Sequence, residues 1–183
     1  MSRRPEPGLS NDERMSEPAV NDATACQIIA ATVDDVPLIL RFIRELAEYE
    51  KRLEEVVAGE DDLRASLFAE PPQAEVIIAR VNGDAAGFAL YFHNYSTFLG
   101  RRGIWLEDLY VRPQWRGRGI GRRLLGRLAQ IAVERRCGRL EWWVLDWNAD
   151  AIGFYRRLGA APMSEWTVQR LTGEALKRLA GEH

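Results

Sequence analysis

The chain has 183 residues, of which 46% are hydrophobic and 28% charged, with a formal net charge of −2 and a pI near 5.8. This balance is that of an ordinary globular domain and gives no global electrostatic case for a nucleic-acid or membrane-surface binder, and no apolar run nears the ~18–20 residues of a membrane span. Two cysteines, Cys26 and Cys137, and two histidines, His93 and His183, exclude a disulfide framework and the usual zinc sites, so no metal is expected and a reduced, cytoplasmic setting is.

Residues 1–25 are rich in Ser, Pro, Asn, Asp and Glu and poor in large apolar side chains, which predicts a disordered tail before a single domain over 26–183. The two N-terminal arginines precede no apolar stretch, so no signal peptide is read there. QIIAA (27–31) is a short strand. Thr32 and Asp35 form a weak capping box, and Val36, Leu40, Ile43 and Ala47 recur at helical spacing, predicting a helix over 35–50. A shorter helix follows at 60–69 and stops at Pro71-Pro72.

The period then changes to two. VIIARV (76–81) and AAGFALYF (85–92), joined by Asn82-Gly83-Asp84, predict a hairpin, because Asn-Gly adopts a type I′ turn at low cost. HNYSTFLGRRG (93–103) reads as a loop and IWLEDLYV (104–111) as a strand. Residues 119–136 place Ile120, Leu124, Leu128 and Ile131 on one helical stripe, with arginines on the other face. RLEWWVLDW (139–147) is a strand and NADAIGFYRRL (148–158) a helix stopped by Gly159. SEWTVQRL (164–171) alternates as a last strand, and a short tail helix follows. The order β-α-α-β-β-β-α-β-α-β predicts an α+β fold with a mixed sheet flanked by helices.

Between strand 104–111 and helix 119–136 lies RGRGIG (116–121). A glycine-rich turn at a helix N-terminus exposes backbone N–H groups where the helix dipole favours an anion. The loop is neither a Walker A sequence nor a Rossmann G-x-G-x-x-G. It matches Arg/Gln-x-x-Gly-x-Gly/Ala through Arg116, Gly119 and Gly121.

The succession of strand, Arg-Pro turn, glycine loop, amphipathic helix, strand, Asn148 and the ending FYRRLGA resembles the GNAT family of acyl-CoA-dependent N-acetyltransferases over about 27–171. ELAEYE (45–50), GFALYFHNYSTFLG (87–100), WLEDLYV (105–111), WNADAIGFYRRLGA (147–160) and EWTVQRL (165–171) resemble its diamine, spermidine/spermine-type branch. The resemblance implies a GNAT-like, mostly antiparallel sheet, acetyl-CoA as cofactor, a small primary amine as substrate, and a homodimer. It implies cofactor contacts from the strand end Leu109, Tyr110 and Val111, from the loop Arg116, Gly117, Arg118, Gly119, Ile120 and Gly121 with Arg122, and from Asn148, Ala151 and Tyr155.

An ammonium has no lone pair, so a base must take its proton before it can attack a thioester. Glu107, on the strand leading to the loop, is the candidate base, acting through a water. Tyr155 matches the tyrosine that the family uses to protonate the leaving thiolate. Strand alternation places the adjacent Glu107 and Asp108 on opposite faces. The cationic acceptor is expected to meet Glu50, Glu107, Asp108 and Glu165, with Tyr49 and Trp166 as walls. One departure matters: Ser96 stands where polyamine enzymes carry an acid, and Arg101 and Arg102 follow. This weakens the case for a long polycation and favours a diamine or a thialysine-like amine. A peptide or protein N-acetyltransferase, or a non-catalytic acyl-CoA-binding module, are the alternatives.

Overall fold

A computed structural model describes residues 26–181, and the tail expected over 1–25 lies outside the described residues. The described chain forms two compact units, one ending at Trp142 and one beginning at Trp143.

The first unit is built on a five-stranded sheet. Its strands are β1 (Cys26–Ala30), β2 (Glu75–Val81), β3 (Asp84–Ser96), β4 (Arg101–Val111) and β5 (Leu140–Trp142), in spatial order β1-β2-β3-β4-β5. The first three pairings are antiparallel, and only β4 with β5 is parallel. This is the expected mixed, mostly antiparallel sheet. The parallel pair requires a crossover, supplied by α3 (Ile120–Glu134).

Helix α1 (Val36–Tyr49) begins after the Thr32–Asp35 box, where Asp35 Oδ2 accepts from the Thr32 backbone N–H at 2.9 Å and from its hydroxyl at 3.1 Å. Its buried face, Val36, Ile39, Leu40 and Phe42, meets Leu63 and Leu67 of α2 (Glu60–Leu67) and Val76, Ile78, Phe88, Leu90 and Tyr110 of the sheet. Phe42 stacks on Phe88 with centroids 5.1 Å apart and meets Tyr110 edge-on at 6.3 Å. Fully burying a Phe contributes roughly 1.5–3 kcal/mol, with about 0.5–1.5 more for such ring pairs, so this trio anchors β3 and β4 to α1. The opposite face of the sheet is covered by α3, through Ile120, Leu124, Leu125, Leu128 and Ile131. Its stripe is the one the helical spacing predicts.

At the end of β4, Arg112 forms a forked pair with Glu45 of α1 (Nε to Oε2 2.9 Å, Nη2 to Oε1 2.8 Å) and donates to the Ala85 carbonyl. It also lies 4.7 Å over the Phe42 ring. Both side chains are largely buried, so two hydrogen bonds and a low local dielectric make this tie stronger than a surface ion pair. His93 is held by elimination of roles. The Gly103 carbonyl, 2.9 Å from Nδ1, can only accept, and the Arg135 guanidinium, 3.0 Å from Nε2, can only donate. The ring is thus a strut between β3 and the end of α3. Arg135 also pairs with Glu75, which accepts in turn from the Tyr91 hydroxyl at 3.1 Å.

The second unit contains α4 (Ala149–Arg157) and α5 (Gly173–Gly181). Asn148 caps α4 by accepting from the Ala151 N–H at 3.2 Å, and Gly159, at φ 89°, ends it in the left-handed region that glycine favours.

Three expectations are corrected. The segment 93–103 is not a loop. β3 and β4 pair out to Ser96↔Arg101, leaving a four-residue turn, because cross-strand pairs such as Tyr95↔Arg102 extend the ladder past the apolar run. The strand expected over 139–147 is only Leu140–Trp142, since β4 supplies partners for three residues alone. The strand expected over 164–171 is absent among the described residues. Alternation describes a surface that can pair, but a strand exists only where a neighbour completes its ladder. The hairpin turn holds as read, with Asn82 at φ 52° and Gly83 at φ 89°.

Candidate active site

The glycine loop follows a short helical turn at Pro113–Trp115 and leads directly into α3. Gly117 and Gly119 have φ of 76° and 77°, a conformation that side-chain-bearing residues rarely adopt. A Cβ built on either would meet nothing within 4 Å, so both face open space. The first intrahelical bond is from the Arg123 N–H to the Gly119 carbonyl at 3.0 Å. The N–H groups at the start of α3, which include those of Ile120, Gly121 and Arg122, therefore have no acceptor within the helix. An open cradle of backbone donors at the positive end of a 15-residue helix suits the diphosphate of a coenzyme A thioester.

The arginines around this cradle divide by role. Arg116 turns inward: its Nε donates to the Val111 carbonyl at 2.8 Å, and its guanidinium lies 4.7 Å from the Tyr49 ring and 5.7 Å from the Tyr110 ring. It ties the loop to the end of β4 and to α1. Arg118 lies 5.0 Å over Trp115. Arg123 donates to the Cys26 carbonyl at 2.8 Å and so joins α3 to β1. Arg122 is exposed beside the cradle.

The acidic residues are placed by a bulge in β4. Leu90 pairs with Asp108 and Tyr91 with Leu106, so Glu107 has no partner on β3. One surplus residue shifts the alternation by one. Trp105, opposite Phe92, lies on the α1 side, and beyond the bulge Asp108 and Tyr110, opposite Leu90 and Phe88, lie on that same side. The simple alternation expected for Glu107 and Asp108 is therefore broken. Glu107 is exposed and accepts from the Trp105 indole N–H at 2.9 Å. Asp108 is half-buried. Burial first, and then the negative charges of Glu107 and of Glu50 just past α1, push its carboxyl from the ordinary 3.8 up to about 7. Glu50 is itself raised by burial, against the lowering charge of Arg52.

The structure thus brings together Glu50, Glu107 and Asp108, and separately Tyr49, Tyr110 and Arg116. The β4–β5 ladder ends at Leu106↔Trp142, so β4 runs on through Glu107, Asp108, Leu109, Tyr110 and Val111 beyond its last β5 partner. Asn148, Ala151 and Tyr155 lie in the second unit, at the cap and along one side of α4, with the Tyr155 ring half-buried and 5.3 Å from that of Phe154. Glu165 and Trp166 lie in the exposed segment between α4 and α5. Sequence reasoning missed Trp105 as the partner of Glu107 and Glu45 as the partner of Arg112. The first was findable as an i, i+2 neighbour on a strand; the second, 67 residues away, was not. Among the described residues no group of three or more His, Cys, Asp or Glu is arranged to hold a metal ion.

Residues 40–160 match the model of the acetyltransferase (GNAT) family. The chain is 42% identical over 155 residues to a thialysine N-epsilon-acetyltransferase of Bos taurus, covering 79% of this chain and 91% of that one. It is 32% identical over 198 aligned positions to an L-ornithine N5-acetyltransferase of Arabidopsis thaliana, covering 84% and 87%. Among solved structures, an integron cassette protein from the mobile metagenome of V. cholerae superposes with a TM-score of 0.73 at 28% identity, covering 86% of this chain and 99% of that one. With the sheet, the glycine cradle and the LED bulge already in place, these matches identify the chain as an acetyltransferase of the GNAT family, matching its diamine branch.

Proposed function

We propose that this acetyltransferase transfers an acetyl group from acetyl-CoA to a primary amine of a small molecule, with a thialysine-like amino acid or a short diamine as the preferred acceptor. The observation that carries this reading is the carboxylate group Glu50, Glu107 and Asp108 at the bulge where β4 passes the end of β5. Three acids, Glu50 and Asp108 half-buried and Glu107 exposed, attract a cation and offer proton acceptors beside it. Thialysine and ornithine, the acceptors named for the two relatives, each carry a side-chain primary amine.

Acetyl-CoA supplies an activated acyl group and a thiol leaving group. The backbone of Gly117, Gly119, Ile120 and Gly121 would cradle its diphosphate, with Arg118 and Arg122 as the nearby cations. Arg116 positions the cradle rather than the phosphates, because its guanidinium is already held by Val111, Tyr49 and Tyr110. The same stacking covers part of the Tyr49 ring, so this wall offers an acceptor less aromatic surface than the sequence suggests. Tyr155 is the proton donor for the departing thiolate; a phenol stays neutral at working pH and can donate.

Met163, Trp166, Val168, Leu171, Leu176 and Leu179 are each more than half exposed. An apolar run of this extent supports burial against a second copy, hence a homodimer. No helix among the described residues is long and apolar enough to cross a membrane, and Cys26 and Cys137 are free thiols, which fits a reducing, cytoplasmic setting.

Thiol release from acetyl-CoA is expected with thialysine, ornithine or 1,3-diaminopropane, and more weakly with spermine. Acetyl-CoA binding without thiol release for any amine would sink the reading. In the same assay Tyr155→Phe should lower kcat by about 10²–10⁴-fold with cofactor affinity little changed. Gly119→Val, which forces a branched side chain to φ 77° at the mouth of the cradle, should weaken acetyl-CoA binding at least ~10-fold by calorimetry with the far-UV circular dichroism retained. Sedimentation equilibrium should give twice the chain mass of 20.8 kDa; a monomer at micromolar concentration would refute the dimer.

A further inference from the structure

We propose that the cavity between strands β1–β3 and the last two turns of α3 is a binding site for a small zwitterionic amino acid with an aliphatic side chain. The site stands apart from acetyl transfer. None of the residues lining it belongs to the glycine loop or to the group Glu50, Glu107 and Asp108.

The cavity has a volume of about 210 Å³. That is below the ~300–1,000 Å³ of sites for drug-sized molecules and suits a ligand of amino-acid size. Its apolar surface comes from Ile28 of β1, Ile77 of β2 and Ile131 of α3, the last two buried. It lies on the α3 side of the sheet, since Ile78 and Leu90, the neighbours of Ile77 and Tyr91 along their strands, face the cluster under α1. The glycine loop opens α3 at Ile120, whereas the cavity begins at Arg127. At 1.5 Å per residue the two sites are roughly 10–20 Å apart along the helix.

Two carboxylates and two guanidiniums close around the space: Glu75, Glu134, Arg127 and Arg135. They fall into a saturated pair and an open pair. Glu75 and Arg135 are matched through both carboxylate oxygens, Nη1 to Oε1 and Nη2 to Oε2, the second at 2.7 Å. The buried Tyr91 hydroxyl donates to the same Oε2 at 3.1 Å, and Arg135 Nη1 lies 3.0 Å from His93 Nε2. Burial, and after it the charge of Glu75, push the Tyr91 hydroxyl up to about 12, so it stays protonated and remains a donor. This half is a fixed wall with little bonding capacity left over.

The other pair keeps capacity. Arg127 spends one nitrogen, Nη1, on Glu134 Oε1 at 3.0 Å and on Gln130 Oε1 at 3.4 Å. Its Nε and Nη2 have no acceptor among the described residues, and Glu134 accepts through Oε1 alone. A guanidinium edge with two N–H groups side by side takes a carboxylate, and the remaining oxygen of Glu134 takes an ammonium. A lone carboxylate would bring its charge against Glu134, and a lone amine against Arg127. A molecule carrying both groups satisfies both and leaves the rim neutral. Its aliphatic side chain then covers the isoleucines and leaves water.

The test is calorimetry on the full chain with L-leucine, 4-methylpentanoate, which lacks the ammonium, and isopentylamine, which lacks the carboxylate. Leucine should bind one to one with Kd on the order of 0.1–1 mM. Each truncated analogue should bind at least ~10-fold more weakly, because it leaves one rim charge without its partner. Arg127→Gln and Glu134→Gln should each weaken leucine binding by at least ~10-fold. The Arg127–Glu134 pair is itself well exposed, at 39% and 59%, so either change should leave the melting temperature within a few degrees. Isoleucine-methyl NMR locates the ligand. Leucine should shift the methyls of Ile28, Ile77 and Ile131 and leave those of Ile39 and Ile78, under α1, in place. No saturation up to about 20 mM leucine overturns the site. So do equal binding of either truncated analogue, wild-type affinity in Arg127→Gln, and methyl shifts confined to other isoleucines.

Discussion

β4 carries one residue more than β3 can pair between Leu90 and Tyr91, and that residue is Glu107. In an unbroken ladder Glu107 would pair with Leu90, Asp108 would fall on the α3 side of the sheet and Tyr110 would leave the cluster around Phe42. The bulge therefore sets two things with one irregularity. It keeps the apolar alternation in step at the C-terminal end of the strand, and it brings two adjacent carboxyls to neighbouring positions rather than to opposite faces. Asp108 owes its raised proton affinity to the protein atoms around it and to the charges of Glu107 and Glu50.

A strand end placed this carefully must be held in place. Arg112 does so with a forked bond to Glu45 and a ring contact with Phe42, and the next arginine, Arg116, ties the glycine loop back to the Val111 carbonyl. Arg123 then joins α3 to β1. These basic side chains near the glycine loop serve the backbone. Amides fixed by a helix and two left-handed glycines need no reorganisation to meet an anion.

Much of the fold was legible from the residues. The periodicity of α1 and α3, the Asn82-Gly83 turn and the Gly159 stop all express local rules, and each appears where those rules put it. Strand limits were less legible. β3 and β4 run further than their apolar cores, and β5 stops well short, because a strand ends where its neighbour stops pairing. The segment 164–171 shows the same limit: its alternation is real, yet no ladder forms on it among the described residues. In the site, the glycine loop was readable as a turn that opens a helix N-terminus. The inward stacking of Arg116 and the distinct surroundings of Glu107 and Asp108 were not, since each depends on residues far along the chain.

By itself the sequence determined the family, the order of elements as far as α4, the glycine loop and the pair of adjacent acids, because these rest on spacing along the chain. Tertiary structure alone decided which of the two acids is desolvated and which arginines are taken up by the protein. The physical reason is that burial and charge are sums over all neighbours in space. One unpaired residue in β4, and Glu50 brought 58 positions back to Asp108, change both sums without leaving a mark in the local pattern.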